Sequence, residues 1–228
     1  MKHLGDITKI HGDQIEPVDC ITFGSPCQDL SIAGRRAGLQ GERSGLFMEA
    51  VRIIKEMRGG TDGRYPTFAI WENVPGAFSS NKESEKCSTL KAKAENIGNG
   101  SECLIAEKAI HWIVRRLTPV ECERLQGYPD GWTDIGDWVD SKGKKHKLTD
   151  TPRYKALGNS IALPQWWWIV NRLRPYMRED PTLGSLFDGI GGFPLVWETA
   201  YGKGAARWAS EIEEFPIAVT KKRFKLHN

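Results

Sequence analysis

A short apolar run, Cys20 to Phe23, passes directly into the sequence Gly24-Ser25-Pro26-Cys27-Gln28. The apolar run predicts a buried strand, and the glycine, serine and proline that follow it predict a turn. Cys27 is therefore expected just beyond the carboxyl end of a strand, where open α/β sheets carry their ligands. A cysteine in that place is a candidate nucleophile, although most free cysteines are small buried hydrophobic residues.

Three further apolar runs end in the same way. Residues 68–71 lead into Glu72-Asn73-Val74, residues 183–187 lead into the glycine turn 188–192, and residues 206–210 lead into Glu211. A strand that feeds a glycine-rich turn and a helix lets an α/β fold approach a nucleotide-like cofactor closely. An acid about 20 residues beyond such a turn suits ribose hydroxyls. Asp6 is expected at the edge of another strand, within residues 4–8.

The amino-acid composition limits the class of protein to which this chain can belong. The chain has 228 residues, 39% hydrophobic and 27% charged, which predicts a globular protein with one sizeable core and room for a small second lobe. The absence of a long apolar run and of a signal-peptide pattern predicts a cytoplasmic protein without a membrane span. Five cysteines without a Cys-x-x-Cys spacing indicate neither a disulfide framework nor a metal site. The net charge of +3 permits a nucleic-acid partner without requiring one.

The remaining segments predict helices and loops. Periodic apolar residues in 46–57 predict an amphipathic helix that ends at Gly59-Gly60, and Thr118 to Glu121 has the pattern of a helix start. A third helix is expected through residues 166–173, with its three tryptophans in the core. The Gly/Arg-rich segment 30–44 predicts a functional loop, with a solvated loop as the alternative. Residues 79–101 are polar and predict a surface loop or poorly ordered segment, and 142–147 a basic surface turn.

Taken together, these stretches resemble the cytosine-C5 DNA methyltransferases over most of the chain, except roughly 79–113. Residues 187–192 resemble the cofactor loop of that family, Pro26-Cys27-Gln28 its nucleophile motif and Glu72-Asn73-Val74 its catalytic acid motif. Residues 116–129 are similar to the motif that flanks the recognition domain, and 158–160 to the motif that closes the cofactor pocket. The resemblance implies an α/β fold with a Rossmann-like, S-adenosylmethionine-dependent methyltransferase sheet and helices on both faces.

The resemblance also implies the ligands and the site residues. S-Adenosyl-L-methionine is the expected cofactor and double-stranded DNA the expected partner, in a bacterial or phage-infected cytoplasm. The implied catalytic residues are Cys27, Glu72, Gln28, Asn73 and Pro26. The implied cofactor-binding residues are Phe187, Asp188, Gly189, Ile190, Gly191, Gly192, Glu211, Ile212, Asp6, Ile7, Leu46, Asn159 and Ser160. The implied DNA-binding residues are Ser31, Arg35, Arg36, Arg43 and Arg116.

The implied chemistry is covalent catalysis on a cytosine that has been flipped out of the duplex. The Cys27 thiolate adds at C6, which turns C5 into a nucleophile for the methyl group. Glu72 would hold the charge at N3 as a protonated acid, which requires a raised pKa. The loop 30–44 would cover the flipped base. The alternatives are a helix-capping role for Glu72 and surface positions for Asp6 and Glu211.

Two features depart from the family. The cofactor loop follows the motif that usually comes last, so we expect a circularly permuted chain with its ends between Phe224 and Leu4. The predicted parts are 1–78 (catalytic), 79–150 (reduced recognition region), 151–180 (pocket-closing motif and helix) and 181–228 (cofactor-binding). In the permuted sheet, the strand 206–210 should lie between 183–187 and the strand near residue 4. The second departure is that no Gln-x-Arg-x-Arg motif occurs, which predicts a vestigial recognition lobe.

Two functions from different classes stay open. One is an active or once-active DNA methyltransferase that needs a second subunit for target recognition, and retention of Cys27, Gln28, Glu72 and Asn73 favours it. The other is a catalytically inactive remnant or partner subunit that binds cofactor or DNA, which the missing arginine motif favours. A nicotinamide oxidoreductase fits the glycine turn alone and leaves the other motifs unexplained.

Overall fold

The fold is built on a sheet of five parallel strands. The structure is a computed structural model, and it describes residues 1–24, 45–72, 104–108 and 112–224. Numbered by their place in the chain, the strands of this sheet are β1 (Lys2–His3), β2 (Cys20–Gly24), β3 (Phe68–Glu72), β8 (Leu183–Leu186) and β9 (Ala206–Ser210). Their order across the sheet is β1-β9-β8-β2-β3. The prediction that residues 206–210 lie between the strand 183–187 and the N-terminal strand is confirmed. A parallel central sheet with helices fits a Rossmann-like methyltransferase fold.

The described ranges also contain six α-helices, two short 3-10 helices and two small antiparallel strand pairs. The helices are α1 (Gly45–Gly60), α2 (Pro119–Gln126), α3 (Asp150–Gly158), α4 (Leu163–Leu173), α5 (Gly192–Tyr201) and α6 (Glu214–Phe224). The antiparallel pairs are β4 (Leu104–Lys108) with β5 (Trp112–Arg116), and β6 (Trp138–Val139) with β7 (Lys145–His146). The pair β6–β7 carries the basic turn predicted at 142–147. The predicted loop 30–44 and the polar segment 79–101 lie outside the described residues.

The sheet separates two apolar clusters. Alternate residues of β2 enter different clusters, with Cys20 in one and Ile21 and Phe23 in the other. Because successive side chains of a strand point to opposite faces, the two clusters lie on opposite sides of the sheet. One contains residues of α2 to α6, and the other packs α1 and the 3-10 helix Ile7–Lys9 against the sheet. This arrangement covers both faces of the parallel strands, as such strands require.

Local signals explain both ends of α2, whereas the N-terminal strand, α3 and one tryptophan differ from what the sequence suggested. Thr118 caps α2 with a full capping box, and Gly127 ends the helix in the left-handed region, as predicted. The N-terminal strand is only Lys2–His3, because the carboxylate of Asp6 accepts the Thr8 N–H and starts a 3-10 helix. Helix α3 was not expected from the sequence. Trp166 is buried as predicted, whereas Trp168 is 60% exposed.

Within the described ranges, no helix combines the length and the apolar character that crossing a membrane requires.

Candidate active site

The carboxyl ends of β2, β3 and β8 meet at one edge of the sheet. Gly24 is in register with Glu72, and Phe23 is in register with Leu186. The ends of these strands, the turn after β8 and the segment after α3 surround an open cleft with about 310 Å³ of empty space, its mouth included. The lining residues are Gly24, Glu72, Asn159, Ser160, Ile161, Phe187, Asp188, Gly189, Gly192 and Phe193. The expected catalytic acid, the glycine turn and the pocket-closing motif therefore share one site.

Many of the expected site residues fall outside the described part of the chain. They are Pro26, Cys27, Gln28 and Asn73 among the catalytic residues, and Ser31, Arg35, Arg36 and Arg43 among the DNA-binding residues. Arg116 is described, and it is an exposed residue at the end of β5. The roles of all these residues stay predictions.

The glycine turn after β8 has a backbone that few residues can adopt. Phe187 has a φ of 56°, and Gly189 and Gly191 have φ values of 57° and 81°. A positive φ is sparsely populated for a bulky residue such as phenylalanine and costs on the order of 1–3 kcal/mol, and such strain concentrates at functional sites. A side chain at Gly192 would place its Cβ 2.4 Å from the hydroxyl oxygen of Tyr128. The turn therefore needs glycine for space as well as for backbone geometry.

Glu211 is joined to the glycine turn. Its Oε2 accepts a hydrogen bond from the Gly189 N–H at 2.8 Å. Its Oε1 accepts from the N–H groups of Ile212, at 2.7 Å, and Glu213, at 2.9 Å. The end of β9 thus positions a half-buried carboxylate against the turn, with the apolar side chain of Ile212 68% exposed next to it. Glu211 is not the freely solvated surface acid of the alternative interpretation.

Asp6, Ile7 and Leu46 are expected cofactor residues that do not line the cleft. Hydrogen bonds from the backbone N–H and the hydroxyl of Thr8, at 3.0 and 2.9 Å, hold the pKa of Asp6 below its usual value. Ile7 is buried, and Leu46 packs against the same apolar cluster at the start of α1. A cofactor role for these three residues stays a prediction.

The pocket-closing motif is held by the segment that follows α2. The hydroxyl groups of Tyr128 and Ser160 form a short hydrogen bond. The Gln126 side-chain amide donates to the Leu157 carbonyl at 2.8 Å, which ties α2 to α3. Burial raises the pKa of Tyr128, so its hydroxyl stays protonated and can act as a donor.

Asp188 is the most enclosed acid of the cleft, with 5% of its surface exposed. Its Oδ1 accepts a hydrogen bond from the Ser185 hydroxyl at 2.6 Å. Its Oδ2 is buried and has no hydrogen-bond partner among the residues that the structure describes. Burial, with a smaller contribution from the charge of Glu211, raises the pKa of Asp188 to about 8. The carboxyl therefore holds a proton at neutral pH while no ligand is bound.

Glu72 is the last residue of β3, and it lies beside Gly24 at the end of β2. A Cβ placed on Gly24 would be 3.2 Å from its Oε2, so the glycine leaves room for this carboxyl. The Glu72 side chain is exposed by surface area, yet enough protein surrounds the carboxyl that desolvation raises its pKa. A raised pKa is the direction that a protonated catalytic acid requires.

Sequence reasoning missed part of the lining and its supports. Gly24, Ile161 and Phe193 line the cleft, and Ser185 holds Asp188 from within β8. Ser185 occupies a buried strand position at which the apolar run is interrupted by a hydroxyl. A polar residue three positions before an acid in such a strand is the signal that could have revealed this contact.

Comparisons with known proteins point to DNA methylation enzymes. A family model described as C-5 cytosine-specific DNA methylase matches residues 1–107. An orphan methyltransferase of Bacillus phage rho11s, M.Rho11sI, is 32% identical over 149 residues, which are 64% of this chain and 27% of that protein. The Type II methyltransferase M1.ScrFI of Lactococcus lactis is 48% identical over 78 residues, 34% of this chain and 18% of that protein.

A third relative carries a different name. The DNA N-6-adenine-methyltransferase of Escherichia phage P1 is 37% identical over 91 residues, 37% of this chain and 12% of that protein. The matches to these three relatives thus span only 12% to 27% of the relatives' lengths. Over the matched residues, this chain resembles the cytosine-C5 DNA methyltransferases.

Proposed function

We propose that this chain is a DNA (cytosine-5-)-methyltransferase that uses S-adenosyl-L-methionine and a covalent Cys27 adduct. The observation that carries the proposal is the cleft in which Glu72 meets the glycine turn at the carboxyl edge of one parallel sheet. Gly24 lies beside Glu72 in the same cleft, and Cys27 follows Gly24 by three residues in the sequence. The proposal is that the nucleophile, the acid and the cofactor loop belong to one site.

The residues of the cleft fit the cofactor. S-Adenosyl-L-methionine carries a sulfonium and an ammonium against one carboxylate, so its net charge is positive. Glu72 and Asp188 line the cleft, and no lysine or arginine does so among the described residues. The turn 187–192 would hold the cofactor, with Glu211 at the ribose hydroxyls and Asn159 and Ser160 closing the site. When bound, the cofactor supplies an electrophilic methyl group.

The protein's own part in the reaction is to activate and hold the base. The Cys27 thiolate forms a bond to C6 of cytosine, and the electron pair of the C5–C6 double bond becomes available at C5. Glu72 holds a proton at N3, where negative charge would otherwise build up. C5 would bond to the methyl group as the methyl–sulfur bond of the donor breaks. The C5 proton would then leave to water, its electron pair would restore the C5–C6 double bond, and the Cys27 thiolate would be released.

We propose further that the chain is a circularly permuted member of this fold and that a second subunit supplies target recognition. The sheet order supports permutation, because β9 lies between the glycine-turn strand β8 and the N-terminal strand β1. His3 is in register with Ala209 of β9, and α6 follows β9 in the chain, so the first strand lies beside the strand that precedes the last described helix. The absence of a Gln-x-Arg-x-Arg motif from the sequence supports the proposal that a second subunit contributes to target recognition.

Product analysis tests the proposed function. The purified chain is incubated with duplex DNA of mixed sequence and a labelled methyl donor, alone and with the proteins encoded beside it, and the DNA is hydrolysed to nucleosides. We expect 5-methylcytosine from the wild type and none from Cys27→Ser. Label in N6-methyladenine would replace the proposal with adenine methylation. Cofactor binding without any methylation, with or without the neighbouring proteins, would favour the inactive remnant.

A further inference from the structure

Asp188 is a buried acid whose carboxyl has one oxygen with a hydrogen-bond partner and one oxygen without a partner among the described residues. It is 95% buried, since only 5% of its surface is exposed, and it lines the cleft. The Ser185 hydroxyl satisfies one carboxyl oxygen, while the other is enclosed and meets no partner in the described part of the chain. A buried polar atom without a partner is rare in native proteins and calls for an explanation.

No positive side chain within the described ranges offsets this carboxyl. The groups that face Asp188 are the Ser185 hydroxyl on β8, the Glu211 carboxylate after β9 and the Tyr128 phenol after α2. Ser160 and Glu72 line the same cleft from α3 and β3. None of these groups is cationic, and only the amino terminus of α5 offers a partial positive charge. The described side chains around Asp188 therefore supply no charge that would stabilise its ionised form, and a cationic ligand in the cleft would do so.

We propose that Asp188 is the residue by which the cleft distinguishes its positively charged sulfonium methyl donor from the uncharged thioether that remains after transfer. The inference rests on the proposed function for the identity of the ligand. Donor and product share their ammonium, carboxylate and adenosine groups, and they differ in the charge at sulfur. In a buried site of low dielectric, that one charge acts strongly on a nearby carboxyl without direct contact.

Proton linkage gives the inference a measurable consequence. Without ligand, Asp188 holds its proton below about pH 8. A cation in the cleft favours the ionised form, so donor binding at pH 7 expels this proton, and donor affinity rises with pH until the free carboxyl is ionised. The thioether lacks the sulfonium and expels less of the proton. Asp188 would thus favour donor over product and assist product release.

The test compares donor and product binding by calorimetry. The full chain is titrated with S-adenosylmethionine or S-adenosylhomocysteine at pH 7 in two buffers of different ionisation enthalpy, which gives the number of protons released. For the wild type we expect clear proton release with the donor and less with the product. For Asp188→Asn we expect release to fall for the donor and the donor-to-product affinity ratio to fall about tenfold, the equivalent of one pKa unit. Glu213→Gln, an exposed acid outside the cleft, is the control and should change neither quantity.

A second variant, Ser185→Ala, tests the same inference if Asp188→Asn does not fold. Ser185→Ala removes the hydrogen bond that favours ionised Asp188, so the donor-to-product ratio should drop at pH 7 and recover at pH 9. Equal weakening of donor and product, or an unchanged ratio in Asp188→Asn, would overturn the inference and leave the proposed function standing. Failure of the wild type to bind either ligand would count against the proposed function instead.

Discussion

The carboxylate of Glu211 accepts a hydrogen bond from the Gly189 N–H at 2.8 Å, so the acid that ends β9 is fastened to the turn that follows β8. Two strands of the sheet therefore fix two expected cofactor contacts relative to each other before any ligand arrives. Such preorganisation lowers the cost of ordering the site upon binding.

Replacing Glu211 with alanine should weaken S-adenosylmethionine binding at least about tenfold, because it removes the ribose acceptor and frees the glycine turn. Isothermal titration calorimetry measures the affinity. Glu213→Ala is the matched control, since Glu213 is an exposed acid whose carboxylate pairs with Lys155. Equal losses in the two variants would show that general charge, and not the position of Glu211, supports binding.

Replacing Glu72 with alanine should lower the methylation rate about 10²- to 10⁴-fold, the usual contribution of a general acid. A step that needs the protonated carboxyl slows as pH rises above the pKa of that carboxyl, which desolvation raises in Glu72. The wild-type rate should therefore fall on the alkaline side, and Glu72→Gln, which cannot ionise, should lose this limb. Single-turnover rates across pH check both points, and an alanine variant within threefold of the wild type would contradict the assignment.

Replacing Glu123 with alanine should destabilise the protein by about 3–5 kcal/mol, because it removes the buried carboxylate beside Arg153 and leaves that guanidinium only its pair with the exposed Asp150. The Glu123 carboxylate is fully buried, and it accepts the N–H groups of Gly131 at 2.6 Å and Thr133 at 2.8 Å. Urea unfolding monitored by fluorescence measures the free energy. Asp130→Ala, which breaks an exposed pair with Arg124, should cost less than about 1 kcal/mol.

Replacing Gly184 with alanine should destabilise the protein by about 1–3 kcal/mol or more, because the added Cβ would lie 2.2 Å from the Trp208 ring. Trp208 is buried on the neighbouring strand and cannot move away without disturbing the sheet. Gly59→Ala is the control, since Gly59 lies near the end of α1 and the added methyl would meet no described atom within 4 Å. The melting temperature of Gly184→Ala should be clearly lower than that of Gly59→Ala. Similar melting temperatures would show that β8 and β9 can move apart enough to accommodate the added methyl group.

Four of the five parallel strands were predictable from the sequence, because each of these apolar runs is followed directly by glycine or an acid. The N-terminal strand, Lys2–His3, is shorter than expected and lies before the predicted residues 4–8. Helix α3 was not predictable, because Asp150–Gly158 contains proline and has little apolar periodicity, and its support comes from packing against α2. The exposure of Trp168 depends on which face of α4 meets α5. The burial of Asp188 likewise comes from residues distant in sequence, so its raised pKa could not be anticipated.

The strand order has a consequence for how the chain folds as it is synthesised. Strand β2 pairs with β8, and hydrogen bonds between Asp19 and Thr182 close a loop of 163 residues. Until β8 and β9 leave the ribosome, β1 and β2 lack their neighbours on that side, and the apolar face of α1 has only part of its sheet to cover. High contact order of this kind slows folding and prolongs exposure of unpaired strand edges. Nascent chains should therefore expose these unpaired edges to chaperones until β9 has been synthesised.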